Sequence, residues 1–167
     1  MGSGLILYIF PLAMAFAGAM DLLTFTIPNR ISLVLLVGFC AAALLVRFPL
    51  PMLLSHTAAG LAMLLVGFGL FTRSWIGGGD AKLMAAAALW LGLEGLVVFL
   101  VWTALLGGAL AMLLLAYRRF FPPLWLMRQP WAMRLHDPKE GIPYGVALAG
   151  AGLLAYPSSV WMTGLGG

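Results

Sequence analysis

Carboxylates are scarce in this 167-residue chain, and two of the five stand at the ends of long apolar runs. Asp21 closes one apolar run and Asp80 opens another, whereas Asp137 and Glu140 lie in a polar segment and Glu94 in a short turn. A carboxylate at the edge of a hydrocarbon layer is costly unless it has a partner or a function. Asp21 and Asp80 are therefore the candidates for chemistry, and we expect the other three to be solvated.

Two such carboxylates suit aspartic proteolysis if helix packing brings them together. One must be ionised to take a proton from water and the other protonated to polarise the scissile carbonyl, a division that like charges in contact enforce. Asp80 begins a helix, whose N-terminus favours an anion, whereas Asp21 ends one. We therefore expect Asp80 to be the ionised base and Asp21 to hold the proton. The simpler alternative is a helix cap at Asp80 and a helix-end polar group at Asp21.

Three consecutive glycines, Gly77, Gly78 and Gly79, stand directly before Asp80. Glycine permits φ > 0 and the close approach of a second chain, and a protease must bind an extended peptide, often through exposed backbone. We expect these glycines to form a loop that holds substrate. The alternative is a flexible connector.

The composition excludes an ordinary soluble domain. Hydrophobic residues make up 63% of the chain, charged residues only 8%, and the mean hydropathy is +1.08, whereas about 25% of the residues of a soluble domain are charged. The net charge of +4 has no soluble basic surface on which nucleic acid could bind, so no nucleic-acid partner is expected. With a single cysteine, Cys40, and two histidines, the sequence predicts no metal site and no cofactor.

Six apolar segments predict six membrane crossings, each of which needs roughly 20 residues. The segments are 5–20, 31–46, 53–71, 80–91, 96–117 and 144–162. We expect Asn29 to cap the second helix and residues 92–95 to form a tight turn. The fold class predicted is an all-α integral membrane protein, a bundle of six transmembrane helices in a single transmembrane domain over residues 1–167.

Positive charge indicates the orientation of this bundle. Eight of the nine Lys and Arg residues fall in the loops after the first, third and fifth segments, and only Arg47 falls elsewhere. Since cytoplasmic loops are enriched in Lys and Arg, these loops are predicted to be cytoplasmic and both termini to lie outside. Asp21 and Asp80 then lie on the same, cytoplasmic, side at similar depth.

The one long loop, residues 118–143, is predicted to lie in the cytoplasm between the fifth and sixth helices. It mixes basic residues with aromatic ones such as Phe120, Trp125 and Trp131. This mixture is typical of a segment in the headgroup layer, so membrane lipids are expected partners. A dedicated substrate site is the alternative.

Three short motifs resemble those of the type IV prepilin peptidases. They are G-G-G-D-A-K at 77–82, which contains G-x-G-D, then I-P-N at 27–29, six residues after Asp21, and I-P-Y-G at 142–145. Together with the number of spans, the order of the motifs and the length, they resemble in particular the short, stand-alone type that serves Flp/Tad pili, the CpaA/TadV group. The resemblance extends over essentially the whole chain.

The resemblance implies a single transmembrane peptidase domain in the bacterial inner membrane. Such a protein is an aspartic endopeptidase that removes the short basic leader of prepilins at the cytoplasmic face, after a Gly that precedes an apolar helix. It implies that Asp21 and Asp80 are catalytic, that a prepilin is the partner and that no cofactor is used. Larger relatives carry an insert with two C-x-x-C pairs and also methylate the new N-terminus; this chain lacks the insert, so only cleavage is expected.

Further residues near the motif aspartates are expected to contact substrate or to shape the site. Lys82 is expected to neutralise charge beside the pair or to orient a substrate carboxylate. Pro28 and Asn29 are expected to shape the first loop, and Tyr144 to line the site.

Two other functional classes stay open. In a small transporter, Asp21 and Asp80 would be proton or cation sites, and the third class is a non-catalytic membrane protein of pilus assembly. Both carboxylates lie on one predicted side and the middles of the spans lack acids, which favours hydrolysis over transport. His56 is expected to be a helix-end polar residue and His136 a loop residue.

Overall fold

The computed structural model describes residues 7–120 and 122–163, and every regular element among them is helical. Eight α-helices and two 3₁₀ turns follow one another in these residues. The helices are α1 Ile9–Thr24, α2 Asn29–Leu45, α3 Leu50–Thr72, α4 Gly78–Tyr117, α5 Leu124–Met127, α6 Pro130–His136, α7 Tyr144–Ala155 and α8 Val160–Thr163, and the 3₁₀ turns are Pro138–Glu140 and Tyr156–Ser158.

Among the described residues, three helical stretches are long and apolar enough to cross a membrane: Leu50–Thr72, Gly78–Tyr117 and Tyr144–Thr163. The helices α1 and α2 are also apolar but shorter, at 16 and 17 residues. Large apolar side chains such as Leu65 and Met112 are exposed on the outside of the bundle, where they fit a lipid environment. The chain is therefore an all-helical membrane protein, whereas six crossings and a cytoplasmic 118–143 segment stay predictions.

A single residue, Gly92, divides the 40-residue helix α4 into two halves. Its φ of 69° and ψ of 178° are not helical, and the left-handed φ is unfavourable for any residue with a Cβ. A tight turn of four residues, 92–95, was expected; the structure corrects this, because the helix resumes immediately after Gly92.

The contacts of α4 indicate that its two halves run in opposite directions along α7. In the first half, Asp80 lies beside Gly145, and Trp90 accepts a hydrogen bond from Trp161. In the second half, Leu106 lies against Gly150, and Gly107 against Tyr144 and Ala147. Residues 78–91 thus run parallel to α7 and residues 93–117 antiparallel to it.

Small residues let the helices approach closely. Gly60 and Gly67 of α3 face α4, where added Cβ atoms would lie 3.0 Å from Leu89 and from Ala81. Gly18 of α1 faces α7 in the same way, with Ala149 2.8 Å from an added Cβ. Such contacts are typical of membrane helices, which associate through packing and not through exclusion of water.

The ends of α1 and α2 differ from the sequence prediction by a few residues. Helix α1 continues past Asp21 to Thr24, and Phe25 ends it in the left-handed conformation, with φ 55°. Asn29 is the first residue of α2 and not its cap, because Pro28 holds the cap position in an extended conformation. Asp21 therefore lies inside the last turn of α1, with its backbone hydrogen bonds intact.

At one end of the bundle lies a cluster that we call the aromatic end, formed by Phe39, Phe48, His56, Trp90 and Trp161. His56 was expected to be a simple helix-end residue; it is instead buried, stacked on Phe39, and 2.8 Å from the Leu89 carbonyl through Nδ1. An added Cβ on Gly92 would lie 2.9 Å from His56 Nε2. The reversal in α4 and the burial of His56 therefore depend on each other.

The segment between α4 and α7 is more ordered than a loop. It contains α5, α6 and a 3₁₀ turn, and His136 is the last residue of α6, with its ring edge-on to Tyr117 at 5.3 Å. The prediction that His136 is a loop residue is therefore wrong.

The ends of α1 and α3 and the starts of α4 and α7 meet at one end of the bundle. We call it the carboxylate end, because Asp21 and Asp80 lie there.

Candidate active site

Asp21 faces the first turn of α7. Its side chain is only 4% exposed, and a Cβ added to Gly145 would lie 2.7 Å from Asp21 Oδ2. Only glycine at position 145 leaves room for the carboxylate, so α7 must approach α1 closely here. Asp21 Oδ2 is buried without a hydrogen-bond partner among the described residues.

Asp80 lies in the first turn of α4 and is 9% exposed. Its Oδ2 accepts a hydrogen bond of 3.1 Å from the Gly77 N–H, so the side chain caps the N-terminus of its own helix. That position favours a negative charge, because unpaired N–H groups and the helix dipole both point at it. Asp80 Oδ1 is buried without a partner among the described residues, so it can accept a proton or a hydrogen bond from a substrate or a water molecule.

The two carboxylates share one cavity of about 660 Å³. The main chain of Gly145 lies beside both of them, so residues 59 positions apart in sequence are brought together by α7. Glu140 is the third carboxylate of the lining, and the described lining contains no Lys, Arg or His. Among the described residues, the lining consists of Asp21, Phe25, Phe71, Ser74, Trp75, Ile76, Gly77, Asp80, Glu140, Gly141, Ile142, Pro143 and Tyr144.

This arrangement can perform general acid–base chemistry. Buried polar atoms in proteins are almost always paired, so two unpaired carboxylate oxygens in one cavity need an explanation. A pair of neighbouring carboxyl groups that shares one proton can activate a water molecule with one member and polarise a carbonyl with the other. Although Asp21, Asp80 and Glu140 line the same cavity, no three His, Cys, Asp or Glu side chains among the described residues lie close enough together to hold a metal ion.

The triple glycine differs from the loop that the sequence predicts. Gly77 lines the cavity with a φ of −71°, which any residue can adopt, and Gly78 and Gly79 are already helical. The expectation that all three glycines form a loop is therefore wrong, because only Gly77 precedes the helix, and none of the three has a positive φ. Gly79 does not face open space either, because an added Cβ would lie 3.0 Å from Ile27 Cβ.

Lys82 lies outside the carboxylate cavity. Its Nζ donates a hydrogen bond of 2.9 Å to Asn29 Oδ1, and its side chain lines a separate groove with Ser32 and Thr57. The structure does not bring Lys82 next to the carboxylates, so neutralisation of their charge by Lys82 is not supported. Lys82 and Asn29 instead join the start of α2 to the start of α4, beside Pro28.

Of the other residues expected near the site, Tyr144 lines the cavity, whereas Pro28 shapes the approach of α2. Sequence reasoning did not assign roles to Ile27 and Gly145, although both lie in the quoted motifs. Ile27 fits between the glycines of two helices, with its Cδ1 2.6 Å from an added Cβ on Gly145 and its Cβ 3.0 Å from one on Gly79. The I-P-N and I-P-Y-G motifs are thus parts of one contact.

Comparison with known proteins agrees with the motifs. The model of the type IV leader peptidase family matches residues 8–112, a region that includes Asp21 and Asp80. No curated protein and no solved structure matches the chain significantly. The family match extends over more than half of the chain and confirms the resemblance at the level of the family, whereas the short Flp/Tad type stays a prediction. This membrane protein therefore belongs to the type IV leader peptidase family, a family of proteases.

Proposed function

We propose that this protein is an aspartic prepilin leader peptidase of the bacterial inner membrane. One observation carries the proposal: Asp21 and Asp80, from different helices, line one cavity beside Gly145, and each has a buried carboxylate oxygen without a partner among the described residues. Membership of the leader peptidase family supplies the substrate class. The prepilin leader would be cut at the cytoplasmic face, with no methylation of the product.

The mechanism assigns one role to each carboxyl group. The Asp80 carboxylate, stabilised by the Gly77 N–H and the helix N-terminus, takes a proton from a water molecule, which attacks the scissile carbonyl. Asp21, in the last turn of α1, donates its proton toward the carbonyl oxygen. Collapse of the tetrahedral intermediate breaks the C–N bond as the proton held by Asp80 passes to the leaving amine and Asp21 recovers a proton from a hydroxyl group of the intermediate.

The positions of buried polar groups favour hydrolysis over transport. The buried polar or charged side chains of the described residues are Asp21 and Asp80 at one end and His56 and Ser159 at the aromatic end. Apolar side chains fill most of the bundle between the two ends, and the buried Thr103 Oγ1, in the second half of α4, is a neutral hydroxyl. A proton or cation path would need polar groups along that interval.

The decisive experiment is cleavage of a prepilin by the purified full-length protein in detergent, followed by measurement of the product mass. We expect one product that has lost the leader and carries no added methyl group. An intact prepilin after prolonged incubation would contradict the proposal. Proton or cation flux through liposomes that contain the protein, without any cleavage, would favour the transporter.

The proposed topology has six spans, with the two halves of α4 as the fourth and fifth, a cytoplasmic 118–143 segment and both termini outside. Single cysteines at Ser158 and at Arg128, in a protein whose exposed Cys40 is replaced by Ala, test it with a membrane-impermeant thiol reagent on intact cells. We expect labelling at position 158 and none at 128. The opposite pattern would invert the topology and move the carboxylates to the outside.

A further inference from the structure

Arg118, the residue directly after α4, binds two distant backbone carbonyls. Its Nε donates a hydrogen bond of 2.9 Å to the Leu135 carbonyl, and its Nη2 donates one of 2.6 Å to the Gly141 carbonyl. These acceptors lie 17 and 23 residues further along the chain. One guanidinium group thus holds both the end region of α6 and the turn that leads into α7.

The segment that Arg118 holds forms one wall of the carboxylate cavity. Glu140, Gly141, Ile142 and Pro143 all line that cavity, and Arg118 itself does not. Gly141 has a φ of 77°, a left-handed conformation in which the chain turns sharply. The position of the wall therefore depends on what holds the Gly141 carbonyl.

The chemistry of the guanidinium group suits this task. Its N–H donors have a fixed planar geometry, and hydrogen bonds from a charged donor are roughly twice as strong as neutral ones. The neighbouring contact is weaker: Tyr117 Oη donates a bond of 3.3 Å to the Ala132 carbonyl. Arg118 is thus the stronger of these two anchors, and the one that reaches the cavity wall directly.

We infer that Arg118 is a positioning residue for substrate binding, which holds residues 140–143 at the distance from Asp21 and Asp80 that an extended peptide requires. This inference rests on the proposed protease function. Arg118 touches neither carboxylate, so it acts on how tightly the peptide binds and not on the proton transfers. Its loss should therefore raise KM and leave kcat nearly unchanged.

The test compares Arg118→Ala with Arg119→Ala in full-length protein that cleaves a prepilin. Arg119 is the matched control, since it carries the same charge at an adjacent exposed position, and its side chain makes no hydrogen bond with the residues that the structure describes. We expect Arg118→Ala to raise KM at least about tenfold with kcat within about twofold, because the peptide-binding wall loses two hydrogen bonds from a charged donor while the two carboxylates keep their places. Arg119→Ala should change neither.

Arg118→Lys keeps the test valid if the alanine variant folds poorly. Lysine retains the charge and most of the aliphatic stem, but a single ammonium group lacks the planar fork that serves two carbonyls. We expect a several-fold rise in KM at a thermal midpoint close to that of the wild type. Trypsin should also cut after the exposed Lys139 at least fivefold faster, because the wall is no longer held.

Each outcome decides between the two proposals. If the wild type and Arg119→Ala do not cleave prepilin, the proposed function fails and this inference fails with it. If both cleave and the Arg118 variants keep the wild-type KM, only the inference is overturned. A loss confined to kcat, or a lower thermal midpoint with unchanged KM, would assign Arg118 a role other than positioning the wall and would also overturn it.

Discussion

The aromatic end and the carboxylate end of the bundle differ in whether their buried polar atoms have hydrogen-bond partners. At the aromatic end, ring nitrogens of His56, Trp90 and Trp161 each lie 2.6–2.8 Å from a main-chain carbonyl. At the carboxylate end, Asp21 Oδ2 and Asp80 Oδ1 are buried without any partner among the described residues. The hydrogen bonds at the aromatic end stabilise the fold. At the carboxylate end, the burial of unpaired carboxylate oxygens destabilises it, which indicates that these side chains serve a function.

The contrast is not complete, since Ser159 Oγ near the aromatic end is also buried without a described partner. A hydroxyl group, however, costs far less to bury than a carboxylate. Substitutions at the carboxylate end should therefore lower activity more than thermal stability, and substitutions at the aromatic end should do the reverse. Four experiments test this difference.

The largest effect is expected at the carboxylates. Asp21→Asn and Asp80→Asn should each lower kcat by at least about a hundredfold, the lower range of what general acid–base catalysis contributes. The thermal midpoint should stay the same or rise, because Asp80→Asn removes a buried charge and Asp21→Asn replaces a protonated carboxyl group with a neutral amide of similar shape. Cleavage assays paired with thermal melts check both effects, with Glu94→Gln at an exposed position as the control. Near wild-type cleavage by either variant would refute the dyad.

The opposite pattern is expected for Trp90→Ala at the aromatic end. Trp90 is fully buried and links α4 to α2 through its hydrogen bond to the Leu35 carbonyl, so its truncation should cost about 3–5 kcal/mol of stability. Below the new midpoint, kcat/KM per folded molecule should remain within about twofold of the wild type. Trp102→Ala, at a position 37% exposed, is the control that should change little. A large loss of kcat in Trp90→Ala would mean that the two ends are not separable.

Gly145→Ala should lower kcat/KM by about tenfold or more with a smaller effect on stability. Its Cβ would lie 2.6 Å from Ile27 Cδ1 and 2.7 Å from Asp21 Oδ2, so α7 must move away from the carboxylates, and a shift of about 1 Å is enough for a large kinetic loss. Gly108→Ala is the matched control, because an added Cβ there meets nothing within 4 Å. Equal activity in the two variants would show that the close approach of α7 is unimportant.

The smallest effects are expected in the triple glycine. Gly79→Ala should reduce kcat/KM a few-fold by pushing Ile27, whereas Gly78→Ala meets only Phe71 at 3.4 Å and should be nearly silent. Gly77→Ala places a Cβ 3.1 Å from Asp80 Oδ2 and should fall between them. Cleavage rates of the three variants measured side by side check this order. A loss in Gly78→Ala as large as in Gly79→Ala would contradict it.

The sequence was sufficient for features that depend on a single segment. The apolar runs predict most of the main helices to within a few residues, because burial in lipid depends on local hydropathy. The exception is the segment 144–162, which the structure divides into α7, a 3₁₀ turn and α8. The pairing of Asp21 with Asp80 at one cavity also agrees with the prediction, since both stand at helix ends on the same side. Their catalytic role stays a prediction.

Apart from that pairing, features that depend on contacts between segments could not be predicted. Hydropathy does not reveal that His56 is stacked on Phe39, that Ile27 fits between Gly79 and Gly145, or that Lys82 bonds to Asn29 and not to the carboxylates. Nor does a glycine in the sequence indicate whether it serves a positive φ, as Gly92 does, or a close approach, as Gly79 does. Those distinctions arise only when the helices are packed.

The lengths of the helices have a consequence for the membrane itself. Helix α1 and residues 78–91, which carry Asp21 and Asp80, are about 24 Å and 21 Å long at 1.5 Å per residue, whereas the hydrocarbon core of a bilayer is about 30 Å thick. In the proposed topology both of these short helices cross the bilayer, and local thinning of the bilayer around them is one way to accommodate such a mismatch. The thinned patch would draw the headgroup layer and its water down to the carboxylates, so that hydrolysis could proceed at the membrane edge without a deep aqueous channel.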